Sequence, residues 1–266
     1  MKGVRKDRME TISVKVEQQI ATITLNRPPA NALSSLLLQE LAQAFNEVEH
    51  NEDVSVIILH GEGRFFAAGA DIKEFTTLES GNKFAELARK GQELLNRIEA
   101  FPKPVIAAIH GAALGGGLEI AMACHIRLAT EDTMLGLPEL QLGLIPGFAG
   151  TQRLPRIIGK AKATELILTS EPITGSEALS LGLINSVYSE QALMMEEAYK
   201  LAGKIAKKSR YTMKLALEAL SYAQDSNFTA GLEKEAELFG FAGESHDSKE
   251  GIQAFLEKRK PEFQNK

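Results

Sequence analysis

The sequence predicts an α/β core that is followed by a helical C-terminal region. Two short apolar runs, at 54–61 and 103–111, have the length and hydrophobicity of buried strands, and residues 126–130 are predicted to form a third strand. Segments with helical spacing of apolar residues separate these runs, and such alternation is typical of a sheet with crossover connections. Toward the C-terminus the segments are all helical in pattern. We therefore expect a core over residues 1–200 and a helical subdomain over 201–266.

Local signals predict the remaining elements. Residues 12–16 and 20–25 are typical of an N-terminal β-hairpin, and Ser34 can cap a helix over 35–50. Apolar spacing predicts another helix over 82–100 with these side chains facing inward: Phe84, Leu87, Leu94, Leu95 and Ile98. The C-terminal region contains four helical patterns: LAGKIAKKSR, TMKLALEALSYAQ, AGLEKEAELFGFAG and SKEGIQAFLEKRK.

Charge and cysteine content exclude several classes of protein. The 266 residues include 30 Lys and Arg against 35 Asp and Glu, a net charge of −5 that argues against nucleic-acid partners and anionic membrane surfaces. Cys124 is the only cysteine, so an intrachain disulfide is excluded and a reducing compartment is expected. The charged N-terminus has no apolar segment typical of a secretory signal, and no run is long enough to span a membrane. The expected location is the cytoplasm.

A glycine-rich run, GAALGGGLE, occupies residues 111–119 after a predicted buried strand. A phosphate-binding P-loop would need Lys and then Ser or Thr after the last glycine, whereas Leu118 and Glu119 follow. The glycine spacing of dinucleotide-binding turns is also missing. One interpretation that remains is a tight turn into a helix whose first N–H groups bind a negative oxygen. The alternative is that the glycines serve close packing alone.

A second small-residue turn favours the first interpretation. FFAAGAD at 65–71 also follows a buried strand and can supply another backbone N–H. Two such donors form an oxyanion hole, in which each donor stabilises the transition state by a few kcal/mol.

Two glutamates stand in apolar surroundings. Glu119 lies one turn into the predicted helix, and Glu139 lies among Leu, Gly and Pro residues in the segment 134–154. Burial disfavours the charged carboxylate, so we expect the pKa of such a group to be raised. Both carboxyl groups are therefore candidates for acid–base chemistry.

Five segments in the same order resemble the crotonase (enoyl-CoA hydratase/isomerase) superfamily. They are NRPPANAL, FFAAGADIKEF, KPVIAAIHGAALGGGLEIAMACHIRLA, GLPELQLGLIPGFAGTQRLPRIIG and GIQAFLEKRKPEF. The resemblance covers essentially the whole chain after the first ten residues and is closest to enoyl-CoA hydratases. It implies a spiral of β-β-α turns with a helical C-terminal trimerisation region, and assembly as a homotrimer or a homohexamer made of two trimers.

The resemblance also implies the functional positions. It places the oxyanion-hole N–H groups on Ala70 and Gly116 and the catalytic carboxyl groups on Glu119 and Glu139. It implies the following contacts with coenzyme A, the last two reaching the nucleotide of a neighbouring subunit: Ala68, Ala70, Asp71, Ile72, Lys73, Gly116, Phe255 and Lys258. The FLEKRK segment that contains the last two is equally typical of an ordinary solvated helix end.

The activity that the resemblance implies is syn addition of water to a 2-trans-enoyl-CoA, giving 3-hydroxyacyl-CoA, in fatty-acid β-oxidation. Coenzyme A is part of the substrate, and no cofactor or metal is expected. A 3,2-enoyl-CoA isomerase and a branched-chain (methylglutaconyl-type) hydratase are the alternatives, and the presence of both glutamates favours hydration. Nucleic-acid binding and a silent acyl-CoA-binding scaffold are rival hypotheses. Nucleic-acid binding is disfavoured because the sequence offers no lysine-rich surface helix. A silent scaffold is disfavoured because both glutamates and both donor segments are intact.

Other polar residues are expected to have structural roles. His110 ends a buried strand without a carboxylate placed beside it by the pattern, and Cys124 with His125 is no metal site by itself. Phe148 is bulkier than the small residue that many crotonases have at this position, and it either shapes the acyl pocket or only packs.

Overall fold

The structure of the protein is a computed structural model that describes residues 9–76, 79–224 and 227–266, and within these residues the strands form two sheets. The strands are β1 (Ile12–Glu17), β2 (Ile20–Leu25), β3 (Val56–Gly61), β4 (Ala67–Ala68), β5 (Val105–Ile109), β6 (Ala112–Leu114), β7 (Ile126–Thr130), β8 (Met134–Gly136), β9 (Ile173–Thr174) and β10 (Ser186–Tyr188). The helices are α1 (Ser35–Glu49), α2 (Ile72–Phe75), α3 (Gly81–Glu99), α4 (Gly116–Ala123), α5 (Gly150–Ile158), α6 (Lys160–Thr169), α7 (Gly175–Ser180), α8 (Gln191–Ile205), α9 (Arg210–Ser221), α10 (Phe228–Glu244) and α11 (His246–Leu256). Short 3₁₀ turns occur at Glu139–Leu142 and Tyr222–Gln224.

The chain winds as repeated β-β-α turns. The larger sheet has the order β1-β2-β3-β5-β7-β10 and the smaller sheet β4-β6-β8-β9. In each of three successive turns the first strand (β3, β5, β7) joins the larger sheet and the second strand (β4, β6, β8) joins the smaller one. The predicted hairpin and the predicted α/β core are both confirmed, as β1 pairs antiparallel with β2 and the other neighbouring strands of the larger sheet pair in parallel.

Helices cover both faces of the larger sheet. Alternate side chains such as Val56, Ile58 and Ile106 pack against α8, while Ile57 and Leu59 contribute to a larger apolar cluster with α1, α3 and α4 on the opposite face. Because β3 and β5 are buried on both faces, their sequences are nearly continuous apolar runs without alternation.

The core extends past the boundary that composition predicts. Residue 200 lies inside α8, whose Met194, Ala198 and Ala202 are completely buried against the larger sheet. The compositional change therefore falls within a helix of the core, and the separate helical region begins after Ile205. The predicted role of that region in oligomerisation stays a prediction. Among the described residues, every helix is too short or too polar to cross a bilayer.

The residues assigned to structural roles are held inside the fold. The ring Nε2 of His110 hydrogen-bonds to the carbonyl oxygen of Gly63 (2.9 Å), and Nδ1 of His125 accepts from the N–H of Val105 (2.9 Å). Burial raises the pKa of the Cys124 thiol to about 12, so it stays protonated at neutral pH. In the ranges that the structure describes, no group of three or more His, Cys, Asp or Glu residues is placed to hold a metal ion.

Gly117 tests how closely α4 packs on the smaller sheet. An added Cβ there would lie 2.1 Å from the carbonyl oxygen of Ala67, so Gly117→Ala should push α4 away from β4. We expect the free energy of unfolding to fall by about 1–3 kcal/mol, as for other overpacked cores, in a urea titration. Gly203→Ala in α8 is the control, because its added Cβ meets no atom within 4 Å outside its own helix backbone. A Gly117→Ala protein as stable as the wild type would contradict this packing.

Candidate active site

Three loops leave the same edge of the smaller sheet. Parallel pairing aligns Ala68 at the end of β4 with Leu114 at the end of β6, and Leu114 with Gly136 at the end of β8. Because the strands are parallel, their carboxyl ends form one edge, the usual place for a ligand in such sheets. The register puts Ala70 and Gly116 each two residues beyond a paired position.

The backbone N–H of Ala70 points away from Leu33. Leu33 bonds to both neighbours of Ala70: its N–H donates to the Gly69 carbonyl (2.9 Å), and its carbonyl accepts from the Asp71 N–H (3.0 Å). In a parallel bridge the residue between these two partners has its own N–H on the opposite side. Ala70 also lines the cavity, so its N–H is a candidate donor to a bound ligand.

The N–H of Gly116 is a second donor beside the first. Gly116 begins α4, so its N–H has no acceptor within the helix. The preceding Gly115 has φ 52° and ψ −127°, a conformation that residues with a Cβ avoid. An added Cβ at Gly115 would be 3.7 Å from the Cα of Gly69, which shows how near the two turns lie. Ala70 and Gly116, from the two predicted turns, therefore line one cavity, and the action of their N–H groups as an oxyanion hole stays a prediction.

Glu119 is held by two backbone N–H groups. Its side chain is buried, at 2% exposure, and Oε1 accepts from the N–H of Phe148 (2.8 Å) and of Gly150 (2.6 Å). An added Cβ at Gly150 would lie 2.8 Å from the same oxygen, so glycine gives the backbone room to approach the carboxyl group.

The side chain of Glu139 lies beside the glycine run. It begins the 3₁₀ turn that follows β8, and its Oε1 lies 2.9 Å from the position of a Cβ added at Gly115. Its Oε2 is buried and has no hydrogen-bond partner among the described residues. The glycine run therefore serves a second purpose, because a side chain at Gly115 would displace this carboxyl group.

Burial raises the pKa of both carboxyl groups, and repulsion by Glu139 raises that of Glu119 further. The pKa of Glu119 is raised to about 7, first by burial and second by the charge of Glu139, while the N–H groups of Gly150 and Phe148 and the charge of Arg153 act in the opposite direction. Burial also raises the pKa of Glu139, as its apolar sequence context predicts.

The cavity has a volume of about 710 Å³, which suits a small-molecule ligand. Its wall opposite the glycine turns is apolar and comes from α3 and the segment after Glu139: Phe84, Leu87, Ala88, Leu142, Leu144, Ile145 and Phe148. Phe84 and Leu87 were predicted to face inward; in the structure they face the cavity and are only partly buried. Phe148 both packs and shapes the cavity. Its ring fills the space that a Cβ at Gly91 would occupy, only 2.2 Å from a ring carbon.

Six of the positions implied by the resemblance meet in this cavity: Ala68, Ala70, Ile72, Gly116, Glu119 and Glu139. Asp71 turns away from it, since its side chain caps α2 and pairs with Arg27 (2.5 Å). Lys73, Phe255 and Lys258 are not among its lining residues, and Phe255 is 83% exposed on α11. Contacts of these four residues with coenzyme A stay predictions.

The groups that hold Glu119 were not predicted from the sequence. The donating N–H groups belong to Phe148 and Gly150, and the side chains of Gln92 and Arg153 hold the same loop by its carbonyl oxygens. The small-residue stretch PGFAG at 146–150 was the available signal, because such a stretch lets a backbone approach a buried group closely.

Comparison with known proteins identifies the family. The family model described as enoyl-CoA hydratase/isomerase matches residues 15–266. A probable enoyl-CoA hydratase of Bacillus subtilis (strain 168) is 58% identical over 96% of this chain and 99% of its own length. A short-chain-enoyl-CoA hydratase of Clostridium acetobutylicum is 41% identical over 97% of this chain and 99% of its own.

Solved structures agree in fold. The crystal structure of an enoyl-CoA hydratase from Bacillus anthracis superposes with a TM-score of 0.91 at 38% identity, covering 97% of this chain and 100% of that one. This confirms the spiral α/β fold that the resemblance implies. The chain therefore belongs to the enoyl-CoA hydratase/isomerase family, within the crotonase superfamily.

Proposed function

We propose that this protein is an enoyl-CoA hydratase that adds water across the 2,3-double bond of a 2-trans-enoyl-CoA. The observation that carries the proposal is the convergence of the backbone donors Ala70 and Gly116 and of two carboxyl groups, the buried Glu119 and the partly buried Glu139, on one cavity. Relatives that are named enoyl-CoA hydratases and are similar over the whole chain support it.

The backbone donors act on the thioester oxygen. When water attacks C3, the electron pair of the double bond moves through C2 onto that oxygen, giving an enolate. The N–H groups of Ala70 and Gly116 would bind the oxygen, and the dipole of α4, which begins at Gly116, favours the negative charge.

The carboxyl groups move the proton. Addition forms a C3–O bond from water and a C2–H bond, so one carboxylate must accept a proton from water while a carboxylic acid delivers one to C2. The raised pKa of both Glu119 and Glu139 favours a state in which the pair shares one proton. Delivery of both parts of water from the same side of the substrate gives syn addition.

The assembly and setting extend this proposal. Large apolar side chains are exposed on the C-terminal helices: Leu220, Phe228, Leu232, Phe239, Ile252, Phe255 and Leu256. Exposed apolar side chains in such number are typical of protein interfaces, and a homotrimer or a dimer of trimers would cover them. In it, Phe255 and Lys258 would reach the nucleotide of a neighbouring subunit.

Fatty-acid β-oxidation in the cytoplasm is the expected setting, and the oxyanion hole needs no metal.

Crotonyl-CoA tests the activity directly. The purified protein should remove the absorbance of the conjugated enoyl thioester, and chromatography should identify 3-hydroxybutyryl-CoA as the product. No loss of absorbance would contradict hydration of this short chain. Assays with a 3-enoyl-CoA and with 3-methylglutaconyl-CoA would then decide between an isomerase, a branched-chain hydratase and a silent acyl-CoA binder.

Replacement of either glutamate should remove most of the activity. Glu119→Gln and Glu139→Gln keep the side-chain size but cannot exchange a proton, so we expect kcat to fall by about 10²- to 10⁴-fold. Binding of a saturated acyl-CoA, measured by calorimetry, should change little because the cavity and both N–H donors remain. A variant with near-wild-type kcat would remove that glutamate from the mechanism.

The protonation of Glu119 also predicts how stability depends on pH. Its pKa in the folded protein, about 7, exceeds the ordinary value of 4.5, so the folded chain holds a proton that the unfolded chain releases. The stability of the wild type should therefore fall, through this group, as the pH rises from about 4.5 to about 7. Glu119→Gln lacks this fall while its amide oxygen still accepts from the Phe148 and Gly150 N–H groups.

Melting temperatures at pH 5 and pH 8 measure the effect. The melting temperature of Glu119→Gln minus that of the wild type should be larger at pH 8 than at pH 5. Glu196→Gln, at an exposed position of α8, controls for the substitution itself. An equal difference between Glu119→Gln and wild type at both pH values would show that Glu119 is ionised without cost in the folded protein.

A further inference from the structure

One peptide group connects Glu119 to a side chain on α3. The N–H of Phe148 donates to Oε1 of Glu119 (2.8 Å), and the carbonyl of the same peptide, that of Gly147, accepts from Nε2 of Gln92 (2.9 Å). The N–H and C=O of a trans peptide point in opposite directions, so Gln92 and Glu119 hold this group from opposite sides. A hydrogen bond accepted at the carbonyl polarises the amide and strengthens the bond that its N–H donates.

The next peptide group is held in a similar way. The carbonyl of Phe148 accepts from Nη1 of Arg153 (3.1 Å), and Arg153 is 4% exposed. The Arg153 guanidinium is fixed in turn by Oδ1 of Asn96 (2.7 Å) and Oε2 of Glu99 (2.8 and 3.0 Å). The orientation of the loop therefore depends on α3 at two consecutive carbonyl groups.

The three anchoring residues form one stripe along α3. Gln92, Asn96 and Glu99 are spaced by four and three residues, which places them on the same side of the helix. Gly91, beside Gln92, has no side chain where the ring of Phe148 lies, so the helix can approach the loop closely enough for these bonds. Hydrogen bonds therefore connect this side of α3 to the loop that holds Glu119, directly through Gln92 and indirectly through Arg153.

We propose that Gln92 is a positioning residue for Glu119, acting through the Gly147–Phe148 peptide, with Arg153 securing the adjacent peptide. The inference rests on the proposed hydration, in which Glu119 handles a proton. Gln92 sets the strength and direction of one of the two N–H bonds that orient this carboxyl group. The charged groups that act on Glu119 are Glu139, from the neighbouring 3₁₀ turn, and Arg153, from α5.

Gln92→Met tests the proposal because methionine has a similar length and cannot donate a hydrogen bond. With crotonyl-CoA, kcat should fall about threefold to tenfold, the fold-change expected for one weakened hydrogen bond, while KM changes by less than about twofold. In a Glu119→Ala background the same change should have no further effect on residual turnover, since the group that Gln92 positions is gone. An equal loss in both backgrounds, or a loss confined to KM, would overturn the proposal.

A second readout needs no turnover. A weaker N–H bond disfavours the ionised carboxylate, so the pKa of Glu119 should rise further in Gln92→Met, and the fall in melting temperature between pH 5 and pH 8 should become larger. In Glu119→Gln this enlargement should vanish. Its persistence there, or an unchanged fall in the single variant, would overturn the proposal. If wild type fails to hydrate crotonyl-CoA but this coupling is observed, the proposed function fails and the positioning role stands.

Two further variants complete the design. Gln92→Asn keeps the amide but withdraws it by one methylene group from Gly147, and it replaces Gln92→Met if that protein does not fold; the same pattern is expected. Gln43→Met makes the same exchange at an exposed position of α1, where the side chain donates to Glu47, and it should match the wild type in both readouts.

Discussion

A buried carboxyl group requires hydrogen-bond donors, and the need to supply them to Glu119 organises much of this structure. An isolated charge loses its hydration inside a protein, and only well-directed donors offset part of that cost. Here the donors are the N–H groups of Phe148 and Gly150, so the loop before α5 must follow one path. Glycine at 150, the left-handed turn at Ala149 and the start of α5 all serve this path.

The smaller sheet positions the remaining groups of the site. Its parallel register ends β4, β6 and β8 at one edge, so each successive β-β-α turn delivers one functional segment to the same place. The first segment brings the N–H of Ala70, the second brings Gly116 and Glu119, and the third brings Glu139. Groups separated by some seventy positions in the chain therefore meet without any long excursion of the backbone.

Sequence reasoning predicted the parts of the site that residue types encode. Apolar runs marked β3 and β5 because strands buried on both faces consist mostly of apolar residues, and Glu119 and Glu139 were conspicuous as carboxyl groups in apolar segments. The Phe148 and Gly150 donors were missed because every residue except proline carries an N–H, so its use leaves no specific residue type behind.

Long-range packing set the other limits of prediction. Gln92 precedes Gly147 by 55 positions and looks like any polar residue of an amphipathic helix until the fold brings it to the loop. Phe84 and Leu87 have the spacing of core residues, and only the tertiary structure shows that they face a cavity instead. The end of the core at α8 was missed because that helix resembles the C-terminal ones in composition and differs only in what its buried side contacts.

Phe148 performs two tasks with one residue, and this limits how the protein can change. Its side chain is part of the cavity wall, while its N–H holds Glu119. The ring packs against Gly91, the residue of α3 that directly precedes Gln92, and Gln92 hydrogen-bonds to the carbonyl of Gly147. A change of wall shape at this position therefore also acts on the alignment of the acid–base group. A smaller residue at Leu87, which lines the same cavity from α3, would make room for a bulkier acyl group and leave the Phe148 N–H that holds Glu119 in place.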